Sequence, residues 1–65
     1  MELSKMKKDI CKYLIEGDTN EEIGEKLYIS KHTVKAYVKT IIDEFKVKNR
    51  TELAYVLGIK HIEFD

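Results

Sequence analysis

Two helix-start signals stand eleven positions apart in this chain, at Thr19 and Ser30. "TNEE" has the form of a capping box: the Thr19 hydroxyl can accept from the Glu22 amide, and the Glu22 carboxylate can reach back to the Thr19 amide. Ser30, just before "KHTVKAYV", offers a second cap. The helix opened at Thr19 must therefore end before Ser30, which leaves it short and followed by a turn of about three residues, "YIS". The helix opened at Ser30 is longer, about 31–45, with Val34, Val38, Ile41, Ile42 and Phe45 recurring on one face. A short helix, a tight turn and a longer helix make a helix-turn-helix.

The flanks supply two more helices. Ser4 can cap a first helix in which Met6, Ile10, Tyr13 and Leu14 share a face, and Gly17 can take the left-handed conformation that ends it. Asn49 can cap a fourth, with Glu52 at its third position and Leu53, Ala54, Val56 and Leu57 as its apolar residues, up to an expected stop at Gly58. Ile59, Ile62 and Phe64 belong to a short tail. Within the second helix, Ile23 and Leu27 point inward. Gly24 costs about 1 kcal/mol against alanine, which makes sense if another helix passes close. Ile29 plugs the corner of the turn, and Val47 packs inward after the third helix. The expected fold is all-α: four helices forming a bundle-like single domain over residues 1–65 around a central helix-turn-helix.

With 65 residues and no proline, such a domain is small and only marginally stable. Cys11 is alone, so no disulfide supports it, and it reads as a partly buried apolar residue. The charged amphipathic amino terminus fits neither a secretory signal nor a membrane span, so a cytoplasmic location without membrane partners is expected. His32 and His61 have no second ligand at zinc spacing, and no Gly-rich phosphate loop or Ser–His–Asp set is present. The expectation is a non-enzyme without metal or cofactor.

The zero net charge hides a pattern. Glu16, Asp18, Glu21, Glu22 and Glu25 outnumber Lys26 across the second helix, which makes either a solvated face or a patch for RNA polymerase. Lys31, Lys35, Lys39, Lys46, Lys48 and Arg50 outnumber Asp43 and Glu44 beyond it. Lys31, Lys35 and Lys39 stand four apart on the face opposite the apolar stripe, together with Ala36 and Thr40. Like charges at that spacing repel by roughly 0.2–0.5 kcal/mol per pair. Phosphates in a major groove would relieve that repulsion.

The stretch "EGDTNEEIGEKLYISKHTVKAYVKTIIDEFKVKNRTELA" resembles the LuxR/GerE-type helix-turn-helix domain of bacterial transcription regulators, and the likeness runs from about Leu3 to Ile62. The resemblance implies sequence-specific binding of double-stranded DNA through the third helix, with a homodimer formed through the fourth. Lys35, Ala36 and Lys39 then fall where the family reaches base edges or nearby phosphates. Thr33 falls where a hydroxyl binds phosphate, with Lys31 beside it and His32 as a further phosphate contact. Leu53, Val56 and Leu57 would share duty between core and dimer interface, with Tyr55 at its edge. Asn49 and Arg50 match an Asn-Arg pair that structures the approach to the fourth helix.

The chain also departs from the family pattern. Lys7 stands where a glutamate would complete a capping box with Ser4, leaving a half-lost cap and a cation near the positive helix end. Glu21 stands where a lysine is common. These departures keep a second function open: a protein-interaction module that pairs with a related full-length regulator without binding DNA. A fragment like the fourth region of a sigma factor shares part of the pattern, but the "NRTEL" helix argues against it. A stand-alone regulator and an excised effector domain both fit a chain that opens at Met1.

Overall fold

The computed structural model describes residues 3–59. These residues form four helices: α1 Lys5–Ile15, α2 Asn20–Leu27, α3 Lys31–Phe45 and α4 Arg50–Ile59. Helix α2 packs on α3, and α1 packs on both α3 and α4. Ile10, Cys11 and Leu14 from α1 meet Ile23 from α2, Val34, Val38 and Ile41 from α3, and Leu53 and Leu57 from α4 in one buried cluster, which Leu3 joins. Ile42, Phe45, Ile29, Leu27 and Val47 are half-buried against it. Each wholly buried aliphatic side chain contributes up to about 1.5–3 kcal/mol.

The start signals are realised as bonds. Thr19 Oγ1 accepts from the Glu22 amide at 3.1 Å, while Glu22 Oε1 accepts from the Thr19 amide at 2.8 Å. Ser30 Oγ accepts from the Thr33 amide at 3.0 Å, and Asn49 Oδ1 from the Glu52 amide at 2.9 Å. The ends of α1, α2 and α3 share one device, a bond from an amide just past the helix to the carbonyl five residues earlier: Asp18 to Tyr13, Ile29 to Gly24 and Val47 to Ile42. Each needs a left-handed residue before it. Gly17 supplies one at φ 86°, as its sequence suggests. Tyr28 and Lys46 supply the others at φ 59° and 57°, where a Cβ is unfavourable.

Several expectations are corrected. What approaches Gly24 is the turn of its own motif, since a Cβ there would lie 2.5 Å from the Ile29 carbonyl oxygen. Helix α4 runs through Gly58 to Ile59; the tail residues Ile62 and Phe64, and His61, lie outside the described residues. Cys11 is wholly rather than partly buried. Burial, assisted by the nearby charge of Glu44, pushes its thiol up to about 11. The cap stays half made, Ser4 Oγ accepting from the Lys7 amide at 3.3 Å, but the Lys7 cation is not stray: its Nζ donates to Glu44 Oε1 at 2.5 Å, tying α1 to α3.

Candidate nucleic-acid interface

The inward stripe of α3 fixes what its other side presents. Val34, Val38 and Ile41 are buried, so Lys31, His32, Thr33, Lys35, Ala36, Lys39 and Thr40 are all exposed together. The alternation follows from the 3.6-residue turn of a helix packed on only one side. Lys31, Lys35 and Lys39 form a row with no ion-pair partner among the described residues. Beside the row, Thr33, Ala36, Tyr37 and Thr40 line a shallow depression. The small Ala36 side chain leaves backbone-close access there, of the kind that suits a base edge or a thymine methyl group.

The two hydroxyls differ. Thr33 Oγ1 lies 3.0 Å from Ser30 Oγ, a pair in which either oxygen can donate, so Thr33 keeps bonding capacity for a further group. Thr40 Oγ1 donates to the Ala36 carbonyl at 3.1 Å. Its proton is used within the helix, which leaves it an acceptor facing solvent and ill suited to phosphate.

Around the turn, Glu21, Gly24, Glu25, Tyr28, Ile29 and Lys31 line a second depression. Glu21 puts a carboxylate on that rim, a charge that would repel a phosphate placed there. Tyr28 stands 95% exposed on its strained backbone, a feature that the sequence does not announce.

The expected seam on α4 divides. Leu53 and Leu57 have no accessible surface and belong to the core of the single chain, so they cannot also face a partner. Their places on the inward side of α4, four residues apart, are the physical reason. Val56 is half-buried, and Tyr55 and Ile59 are 71% and 65% exposed.

Arg50, the first residue of α4, does more than structure the approach to that helix. Its side chain leaves the approach to α4 and crosses to the joint between α1 and α2, where Nη1 donates to Asn20 Oδ1 and Nη2 donates to the Asp18 carbonyl at 2.7 Å. Burial pulls the guanidinium below its ordinary value. One signal was available: a cation in the first turn of a helix opposes the macrodipole and so calls for a compensating partner. Among the described residues no group of His, Cys, Asp and Glu is placed to hold a metal ion, and no helix is long and apolar enough to cross a membrane.

A model of the family described as bacterial regulatory proteins, luxR family, matches residues 1–57. YhjB of Escherichia coli (strain K12), a protein named as an HTH-type transcriptional regulator, is 42% identical over 57 residues, 88% of this chain and 28% of its own length. The transcriptional regulatory protein LiaR of Bacillus subtilis (strain 168) is 37% identical over 60 residues, 92% of this chain and 28% of its own. The oxygen regulatory protein NreC of Staphylococcus aureus (strain JH9) is 38% identical over 63 residues, 95% of this chain and 29% of its own. The chain thus spans about a quarter of the length of the curated relatives it matches. No solved structure matches it significantly.

Proposed function

The chain belongs to the luxR family of bacterial regulatory proteins, and from that premise we propose that it is a sequence-specific double-stranded DNA-binding transcription regulator, a single cytoplasmic domain that lays α3 in the major groove. The observation that carries this reading is the unpaired row of Lys31, Lys35 and Lys39 on the exposed face of α3, opposite a face committed to the core. Lys35, Lys39 and Ala36 address base edges or nearby phosphates, Lys31, His32 and Thr33 address phosphates, and Thr40 contributes shape alone. A contact with RNA polymerase, if the chain makes one, falls to the acidic outer face of α2, where Glu21, Glu22 and Glu25 are exposed.

One recognition helix covers only a few base pairs, so useful discrimination calls for a homodimer with two third helices about 34 Å apart. With Leu53 and Leu57 withdrawn into the core, the seam falls to Tyr55, Val56 and Ile59. The rival reading, an interaction module that binds no DNA, draws on the carboxylate of Glu21 and the neutral total charge.

Selection of duplexes from a random pool, followed by footprinting, decides between them. The proposal expects an enriched palindromic site with two protected half-sites, reduced to weak single half-site protection by Tyr55→Glu in a protein that still folds. Failure to enrich any duplex would favour the interaction module.

A further inference from the structure

We infer that Arg50 is a positioning residue for DNA binding: it fixes the amino end of α2, and so the first helix of the helix-turn-helix, without touching DNA itself. The inference rests on the proposed function. In a helix-turn-helix the first helix crosses the DNA backbone while the second enters the groove, so its amino end must be held in register with α3. Helix α2 is short, and its packing is chiefly against α3. A two-turn helix held along one side can still swing about that side.

Arg50 supplies the second point of attachment. It grips two acceptors at one joint, the side-chain oxygen of Asn20, the first residue of α2, and the carbonyl of Asp18 just before the Thr19 cap. The other groups at the joint are already used. The Asp18 amide closes the end of α1 on Tyr13, the Asp18 carboxylate pairs with Lys26 at 2.5 Å, and the Thr19 amide is taken by Glu22. The fork of the guanidinium suits two acceptors in fixed positions, which a lysine ammonium on one flexible stem could not hold together. Both acceptors are neutral, and no carboxylate pairs with Arg50 among the described residues, so the contact is geometric in purpose more than a charge neutralisation.

The test compares the wild-type chain with Arg50→Met, Arg50→Lys, Asn20→Leu and the Arg50→Met/Asn20→Leu double variant. Each is checked for folding by circular dichroism and titrated, well below its melting temperature, against a duplex that the wild type has selected. Positioning predicts that Arg50→Met and Asn20→Leu each weaken binding by roughly tenfold, on the scale of a lost charge-assisted hydrogen bond. It also predicts that the double variant is no worse than either single, that Arg50→Lys restores part of the affinity, and that the salt slope is unchanged in Arg50→Met. Amide resonances of the first turn of α2 should move in both single variants.

Three results overturn the inference. The first is affinity unchanged in folded Arg50→Met, which leaves Arg50 a stabilising contact only. The second is a loss in Arg50→Met that Asn20→Leu does not reproduce, with a salt slope lower by about one, which makes Arg50 a phosphate ligand. The third is a wild-type chain that binds no duplex, which overturns the proposed function as well; the first two leave that function standing.

Discussion

Three lysines of α1 and α2, namely Lys5, Lys7 and Lys26, and the three on the outer face of α3 are the same side chain used in opposite ways. Lys5 pairs with Asp9, Lys7 with Glu44 and Lys26 with Asp18, and Lys26 also lies over the ring of Tyr13 at 4.7 Å. Lys31, Lys35 and Lys39 have no such partner among the described residues and repel one another along the helix. A tied lysine has its charge answered within the fold, and the half-buried one, Lys7, helps to hold it. An untied row keeps its charge for a partner, at a small standing cost in stability. The difference teaches that the local density of unpaired cations, more than the net charge of zero, marks the surface that fits a polyanion.

The comparison predicts that substitutions in the two sets separate cleanly. In the row, Lys35→Ala and Lys39→Ala should each weaken binding to a selected duplex by about 1–3 kcal/mol while leaving the melting temperature where it is. Fluorescence anisotropy beside a thermal melt reads both, and a row variant that lost stability without losing affinity would break the distinction.

In the tied set, Lys7→Glu should destabilise by about 1–2 kcal/mol, because it sets two carboxylates together across α1 and α3 where a half-buried pair now stands. The capping box it would complete with Ser4 offsets less than that, at about 0.5–1 kcal/mol. A rise in melting temperature would show that the cap outweighs the bridge. Lys31→Ala should leave relative preferences among duplexes intact and lower the slope of log affinity against log salt by about one, measured by titration at several salt concentrations. The smallest effect belongs to Lys5→Ala, whose side chain is 90% exposed and whose pair with Asp9 spans a single helical turn; its melting temperature should be indistinguishable from that of the wild type.

Much of this architecture could be read from the chain because it is local. Thr19, Glu22, Ser30 and Asn49 act within three residues of themselves, so their caps appear in the sequence as patterns. The stripe from Val34 to Ile41 declares the buried side of α3 in the same way, and by subtraction its exposed side. What stayed hidden is non-local or conformational. Lys7 and Glu44 lie 37 positions apart, and Arg50 reaches back 30 positions to Asn20; no spacing rule links them. Leu53 and Leu57 were expected to serve both core and seam, because an apolar residue on a helix looks the same whether it faces its own chain or another. Tyr28 and Lys46 take left-handed positions that Gly17 signals and they do not, since the demand for φ above zero comes from where the next helix must begin.

The central claim is that the untied row on α3 is the polyanion-binding surface, and a triple variant tests it most directly. Lys31, Lys35 and Lys39 would all be replaced by glutamine, and binding to a selected duplex followed across salt concentrations alongside the wild type. The account predicts that the variant melts at or above the wild-type temperature, because its repulsions are gone, while its affinity collapses and its salt slope falls by up to about three. A folded triple variant that binds the duplex with wild-type affinity and an unchanged salt slope would contradict it.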